Sequence, residues 1–184
     1  MALQESRSVN SLDRYITGVR SIWGDGHDSQ LPFRVKRLME EFFASTAPDD
    51  PWIAELIAEG KPARELYRDS ELGFIQMGHV HKQGHANAPH DHGPCWVVYG
   101  SYSGITEITK YRRTDDGSRP GIALLEKERL DRLTPGVVQP YLPGEIHSTH
   151  AVAGPAVVFR FLSHDLDRVE RYRYNLEKGT VARV

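Results

Sequence analysis

Gly84-His85-Ala86-Asn87-Ala88-Pro89-His90-Asp91-His92 and Pro143-Gly144-Glu145-Ile146-His147 are the two stretches whose reading decides the fold. Each is a glycine-marked turn running into histidine, and the first delivers two imidazoles spaced His-x-His. Residues two apart in a strand share a face, so His90 and His92 are expected to project side by side. His147 arrives from a distant strand. Three imidazoles on one interior face suit iron, zinc, copper or nickel and leave half of a coordination sphere open. The bland alternative is a barrel of the same plan whose histidines no longer bind metal.

The bulk composition fits that picture. A chain of 184 residues is the size of one domain with a real core. Apolar residues make up 39% and charged residues 26%, and the net charge is −2, so no global basic field argues for nucleic acid. The basic runs Tyr111-Arg112-Arg113 and 168–173 read as solvated strand faces rather than a nucleic-acid surface. The single cysteine, Cys95, excludes an internal disulfide framework and fits a reducing compartment. Met1-Ala2-Leu3-Gln4-Glu5 lacks a basic stretch and an apolar core, and no apolar run approaches ~18 residues. A cytoplasmic protein without membrane segments is expected.

Texture divides the chain without splitting it into domains. The first 60 residues read as three helices. Leu12, Tyr15, Ile16, Val19 and Ile22-Trp23 recur at helical steps after a cap at Asn10 or Ser11. A second helix covers 30–44, with Pro32 in its first turn and Phe33, Leu38, Phe42 and Phe43 toward a core. A third starts at Pro51, carries Trp52, Ile53, Leu56 and Ile57, and ends at Gly60. From about residue 70 onward, short alternating segments punctuated by glycine and proline predict strands over 72–82, 95–102, 105–113, 122–129, 137–141, 147–151, 156–162 and 169–176. Helices first and strands afterwards, without βαβ alternation, predict one mainly-β domain over 1–184: an antiparallel barrel or sandwich with an amino-terminal helical cap.

These motifs resemble those of the cupin superfamily, whose fold is a double-stranded β-helix, a jelly-roll-like barrel. Gly84, His90 and His92 match its first motif, with Gly104 near the closing glycine, and 143–147 match the second with its first glycine offset. Within the cupins the chain is most similar to the cysteine dioxygenase family, the thiol dioxygenases. The likeness spans most of residues 60–165 and includes Arg64-Glu65-Leu66, Phe74, Pro89-His90-Asp91-His92 and Gly104-Ile105-Thr106-Glu107 leading to Tyr111. The resemblance implies Fe(II), replaceable by Zn, Ni or Mn, held by His90, His92 and His147. It also implies O2 and a small thiol carboxylate as partners, and a sulfinic acid as product. Where many cupins add a carboxylate three or four positions after His-x-His, this chain has Cys95, Trp96 and Val97, so the centre is expected to have histidine ligands only. Other three-histidine cupins oxidise diketones or aromatic acids, and a non-enzymatic metal- or ligand-binding cupin is the third alternative.

Four further residues are candidates for the chemistry. Arg64 falls where the resemblance places the arginine that grips the substrate carboxylate through two parallel hydrogen bonds; the alternative is a surface charge at a helix end. Arg160 lies inside Val157-Val158-Phe159-Arg160-Phe161-Leu162, and alternation sets it opposite Phe159 and Phe161, where it either binds an anion or is solvated. His79 and His81 share a face with Ile75 and Met77, a face that the resemblance turns toward the pocket. They can act as acid/base or orienting groups, hold a second metal, or be hydrogen-bonded structural histidines. His85 and His150 read as supporting or surface residues, and Trp96 and Tyr99 mainly as packing. The chain departs from the mammalian enzymes at Cys95, Val158, Arg160 and Leu162, so no cysteine–tyrosine crosslink is expected.

Overall fold

The structure, a computed structural model, describes residues 10–184. The amino-terminal stretch Met1–Glu5, which lacks a basic stretch and an apolar core, lies outside the described residues. Three helices come first: α1 (Ser11–Ile22), α2 (Leu31–Ser45) and α3 (Pro51–Glu59). The Asn10 side-chain oxygen accepts the Asp13 N–H at 2.8 Å and satisfies one orphan donor of the first turn of α1. Gly60 stops α3 at φ 59°, the left-handed conformation that favours glycine. The core stripe of α2 is Leu31, Val35, Met39, Phe42 and Phe43. Phe33 is instead exposed and Leu38 half-buried, correcting the expected face: Phe33 sits in the first turn, off the 31-35-39-42 stripe.

Nine strands follow: β1 (Arg64–Arg68), β2 (Ile75–His81), β3 (Ala86–His90), β4 (Val97–Arg113), β5 (Leu125–Leu133), β6 (Val138–Tyr141), β7 (Ile146–Leu162), β8 (Tyr172–Asn175) and β9 (Thr180–Arg183). All pair antiparallel in one sheet of order β1-β2-β7-β3-β8-β9, with β4 attached to β5, β6 and β7. The chain is thus mainly β, antiparallel, with a helical cap. The hydrogen-bonded ladder does not close into a barrel: β1, β5, β6 and β9 each pair with one strand. Two pairs of predicted strands are single 17-residue strands, β4 and β7. Their register shifts at Ser101/Ser103 and Ser103/Ile105, so bulges absorb Gly104 without a turn. Gly104 stands at φ 71°, and a Cβ there would come within 2.6 Å of the Ala156 Cα. Glycine is the residue that fits this close approach.

Alternation along β7 assigns its two faces. Val157, Phe159 and Phe161 pack with the helices, in a core that also holds Trp23, Phe42, Phe43, Phe74 and Trp96. Val158 and Leu162 belong to a second cluster, with Ile75, Val97 and Tyr99, and Arg160 stands on the same side. The helices thus cover one face of the sheet, and the other lines a cavity. No helix of the described residues is long and apolar enough to cross a membrane.

Candidate metal centre

His90 is the last residue of β3, His92 follows it outside any regular element, and His147 is the second residue of β7, paired in register with His90. Contrary to the expected shared strand face, β3 ends before His92, so His90 and His92 are not two positions of one strand. Their convergence is set by the turn after the strand, where buried Asp91 accepts the backbone N–H groups of Gly93 and Tyr172. The outcome is nevertheless a tight triad. Ring centres lie 5.0 Å apart for His90–His92, 4.8 Å for His90–His147 and 5.0 Å for His92–His147. One nitrogen of each ring lies within 4.8 Å of the other two. Among the described residues, no carboxylate or thiol joins this group.

Tautomers follow from the acceptors. The His90 Nδ1–H donates to the Ala88 carbonyl at 2.9 Å, and the His147 Nδ1–H to the Glu145 carbonyl at 3.3 Å. A carbonyl only accepts, so each Nε2 keeps its lone pair. The His92 Nε2 is buried without a partner, a vacancy that a metal bond satisfies. Burial, then the neighbouring imidazoles, holds the His92 and His147 pKa values well below the ordinary histidine range; burial also lowers that of His90. The triad is therefore neutral at pH 7, as metal ligation requires. On every one of these counts the residues fit a transition metal.

His90 and His92 line a cavity of about 640 Å³. Ile75, Met77, His79 and His81 of β2 all line it, as do His90, His92, Tyr99 and Arg160. Arg160 pairs in register with Met77 on one side and Tyr99 on the other, and its Nε is buried without a partner. Its charge lowers the pKa of His79, His81, His90, His92 and His147 alike, so the guanidinium stands within electrostatic reach of both histidine groups. Arg64 is a correction. It is absent from the cavity wall and pairs with Glu59 at 3.1 Å and Glu55 at 3.5 Å, both on α3. Alternation in β1 turns Glu65 toward the cavity and Arg64 toward the helix.

Tyr99 is the residue that sequence reasoning undervalued. It is 5% exposed, and its hydroxyl lies 3.5 Å from the His147 Nε2. Only the pairing of β4 with β7, which sets Tyr99 beside Arg160, separates this tyrosine from one that packs. His85 stacks on His81, ring centres 4.2 Å apart, while His150 is exposed on β7. Cys95 is buried just before β4, and burial raises its thiol pKa, so it is not an activated thiolate.

The β2 histidines make acid stability testable. Burial, then the Arg160 charge, holds His79 down to about 3; burial, then His85, holds His81 down to about 4. A histidine with a depressed native pKa stays neutral while the unfolded chain protonates near pH 6.5, so stability falls as pH drops below that value. His79 alone is expected to cost about 2 kcal/mol between pH 7 and pH 5. Urea midpoints for the protein and for His79→Gln check this. The variant is expected to show a flatter acid limb, and parallel limbs would refute the assignment.

No family model and no curated protein sequence matches the chain. Solved structures similar to it include KdgF from Halomonas sp., at 16% identity over 58% of this chain and 83% of that one, with a TM-score of 0.43. The Cnp3 cupin domain of Schizosaccharomyces pombe matches at 12% identity over 56% of this chain and 60% of that one, TM-score 0.43. DMSP lyase DddQ from Ruegeria pomeroyi matches at 16% identity, TM-score 0.43, over 58% of this chain but only 48% of that one.

Proposed function

We propose that this protein is a mononuclear non-haem iron dioxygenase of the thiol dioxygenase type, oxidising a small thiol carboxylate with O2 to a sulfinic acid. The observation that supports this reading best is the triad itself: three neutral imidazoles, no carboxylate, and a buried guanidinium facing the same cavity. His90, His92 and His147 would hold the metal. When bound, Fe(II) there supplies Lewis acidity and electrons for oxygen activation, with its full +2 charge undiminished by any anionic ligand.

The chain's own residues do the rest. Arg160 presents a forked donor to the carboxylate, and its unpartnered Nε gives that acid a hydrogen bond the protein leaves unmade. Tyr99 fills the space between Arg160 and His147, where its hydroxyl can hold a proton beside the reacting thiol. Ile75, Val158 and Leu162 exclude water from one wall, which strengthens the Arg160–carboxylate attraction.

Oxygen uptake by the iron-loaded protein over a panel of thiol carboxylates, diketones and aromatic acids tests the reading. Uptake with a thiol carboxylate, at two oxygen atoms incorporated per sulfinate, is the expected result. Uptake only with a diketone or aromatic acid would replace it with another three-histidine oxygenase. No uptake with any of the three, alongside retained ligand binding, would make the protein a metal- or ligand-binding cupin.

A further inference from the structure

The cavity wall holds a second histidine group that the triad does not use. His79, His81 and His85 form a chain of rings, 5.3 Å between the centres of the first two and 4.2 Å between the last two. The His81–His85 pair is stacked at 24°, so their ring planes run nearly parallel and do not converge on one point as the metal triad does. His79 is 7% exposed, and its Nδ1–H donates to the Pro62 carbonyl at 2.7 Å. Its Nε2 therefore keeps its lone pair, buried and without a partner, on a residue that lines the cavity. A buried acceptor of this kind is costly unless a ligand supplies a donor.

Arg160, paired in register with Met77 of β2, carries a buried unsatisfied donor, its Nε, on the same wall. His79 is the next residue on the same face, about 6.8 Å along the strand. Of the other arginines on the cavity wall, Arg68 pairs with Glu65 and Asp165, Arg171 donates to the Leu166 carbonyl, and Arg173 is exposed to solvent. The wall therefore offers a buried cationic donor without a partner, the Arg160 Nε, and, a short chain-length away, a buried neutral acceptor. A single amino-acid-sized thiol also leaves much of a cavity of about 640 Å³ unfilled.

We propose that His79, supported by the stacked His81 and His85, is a binding subsite for the hydrogen-bond-donating tail of an extended carboxylate whose acid group is held by Arg160. The ligand class is a carboxylate that ends, a few atoms away, in an amide N–H, hydroxyl or ammonium. The proposal rests on the reading of Arg160 as the acid anchor and extends it to the substrate's far end.

Succinamate and levulinate test it by calorimetric titration of the protein. They are carboxylates of equal length that differ in ending on an amide NH2 or a methyl ketone. Succinamate is expected to bind about tenfold more tightly, since levulinate leaves the His79 acceptor unpaired. Equal affinities on the unmodified protein would overturn the proposal without recourse to any variant. In His79→Phe, succinamate is expected to fall to the affinity of levulinate while levulinate stays within about twofold; a parallel loss of both would show a merely structural role. Arg160→Gln is expected to weaken both ligands equally, and no effect on either would remove the anchor and the proposal with it. Neither ligand carries a thiol, so a failure of thiol oxidation leaves this comparison intact. A Co(II) titration giving two equivalents per chain, one of them lost in His79→Phe, would overturn the subsite in favour of a second metal.

Discussion

His147→Ala is expected to strip the protein of its transition metal, taking it from about one ion per chain to less than a tenth. A structural zinc site of four ligands binds with ~10–16 kcal/mol, so each ligand accounts for ~2.5–4 kcal/mol, roughly a 60- to 700-fold change in affinity. The triad has only three protein ligands, and the loss of any one leaves a two-nitrogen site that dissociates on a chromatography column. His147 is the most informative of the three. It is fully buried, its Nε2 has the Tyr99 hydroxyl at 3.5 Å as hydrogen-bonding neighbour, and its ring packs on Tyr141 at a centroid distance of 4.7 Å. Removing the ring also opens a space, so His147→Phe serves as the companion that keeps the packing. Elemental analysis of protein purified without a histidine tag reads the metal, and circular dichroism confirms that each variant folds. Metal retained at one per chain in both variants would mean that other residues hold it.

The parts of this molecule that were legible in its sequence are those decided by local chemistry. Asn10 caps α1, Pro51 opens α3 and Gly60 closes it, each within one turn of the residues it serves. The convergence of His90, His92 and His147 was legible from two turn-plus-histidine signals, although the strand invoked for His92 ends two residues before it. Arg160 was legible up to its face, because alternation with Phe159 and Phe161 is a local property; that this face meets a cavity is not. Arg64 misled because its direction depends on β1, a five-residue edge strand without an apolar alternation to announce it. Its pairing with β2 shifts register between Glu65 and Tyr67. The continuity of β4 and β7 was hidden for the opposite reason. Gly104 and Gly154-Pro155 read as turns, and only long-range pairing shows that the strands run through them. Partner strands, which set register, are invisible to any short window of residues.

Asp91, between the two ligands of the His-x-His motif, is expected to be the largest single polar contributor to stability around the centre. It is 5% exposed, and three donors converge on its carboxylate: the Gly93 N–H at 3.0 Å, the Tyr172 N–H at 3.1 Å and the Tyr174 hydroxyl at 2.7 Å. The last two belong to β8, so the side chain fastens the carboxy-terminal hairpin of β8 and β9 to the segment that carries His90 and His92. Asp91→Ala leaves two backbone donors and a phenol without their acceptor, at about 1–3 kcal/mol each before water enters. A total loss of about 3–5 kcal/mol is expected, a third or more of the stability of an ordinary domain. Tyr174→Phe removes only one of the three bonds and leaves no buried donor behind, so about 1 kcal/mol is expected there. Metal affinity should fall with Asp91→Ala as well, by about 10- to 100-fold, because the turn that aims His92 loses its support. Urea denaturation of the metal-free proteins separates the two effects, since it reads the hairpin bonds without the ligand bonds. Equal losses in Asp91→Ala and Tyr174→Phe would mean that solvent already satisfies the Gly93 and Tyr172 amides, and that the geometry of the His-x-His turn is held by its backbone alone.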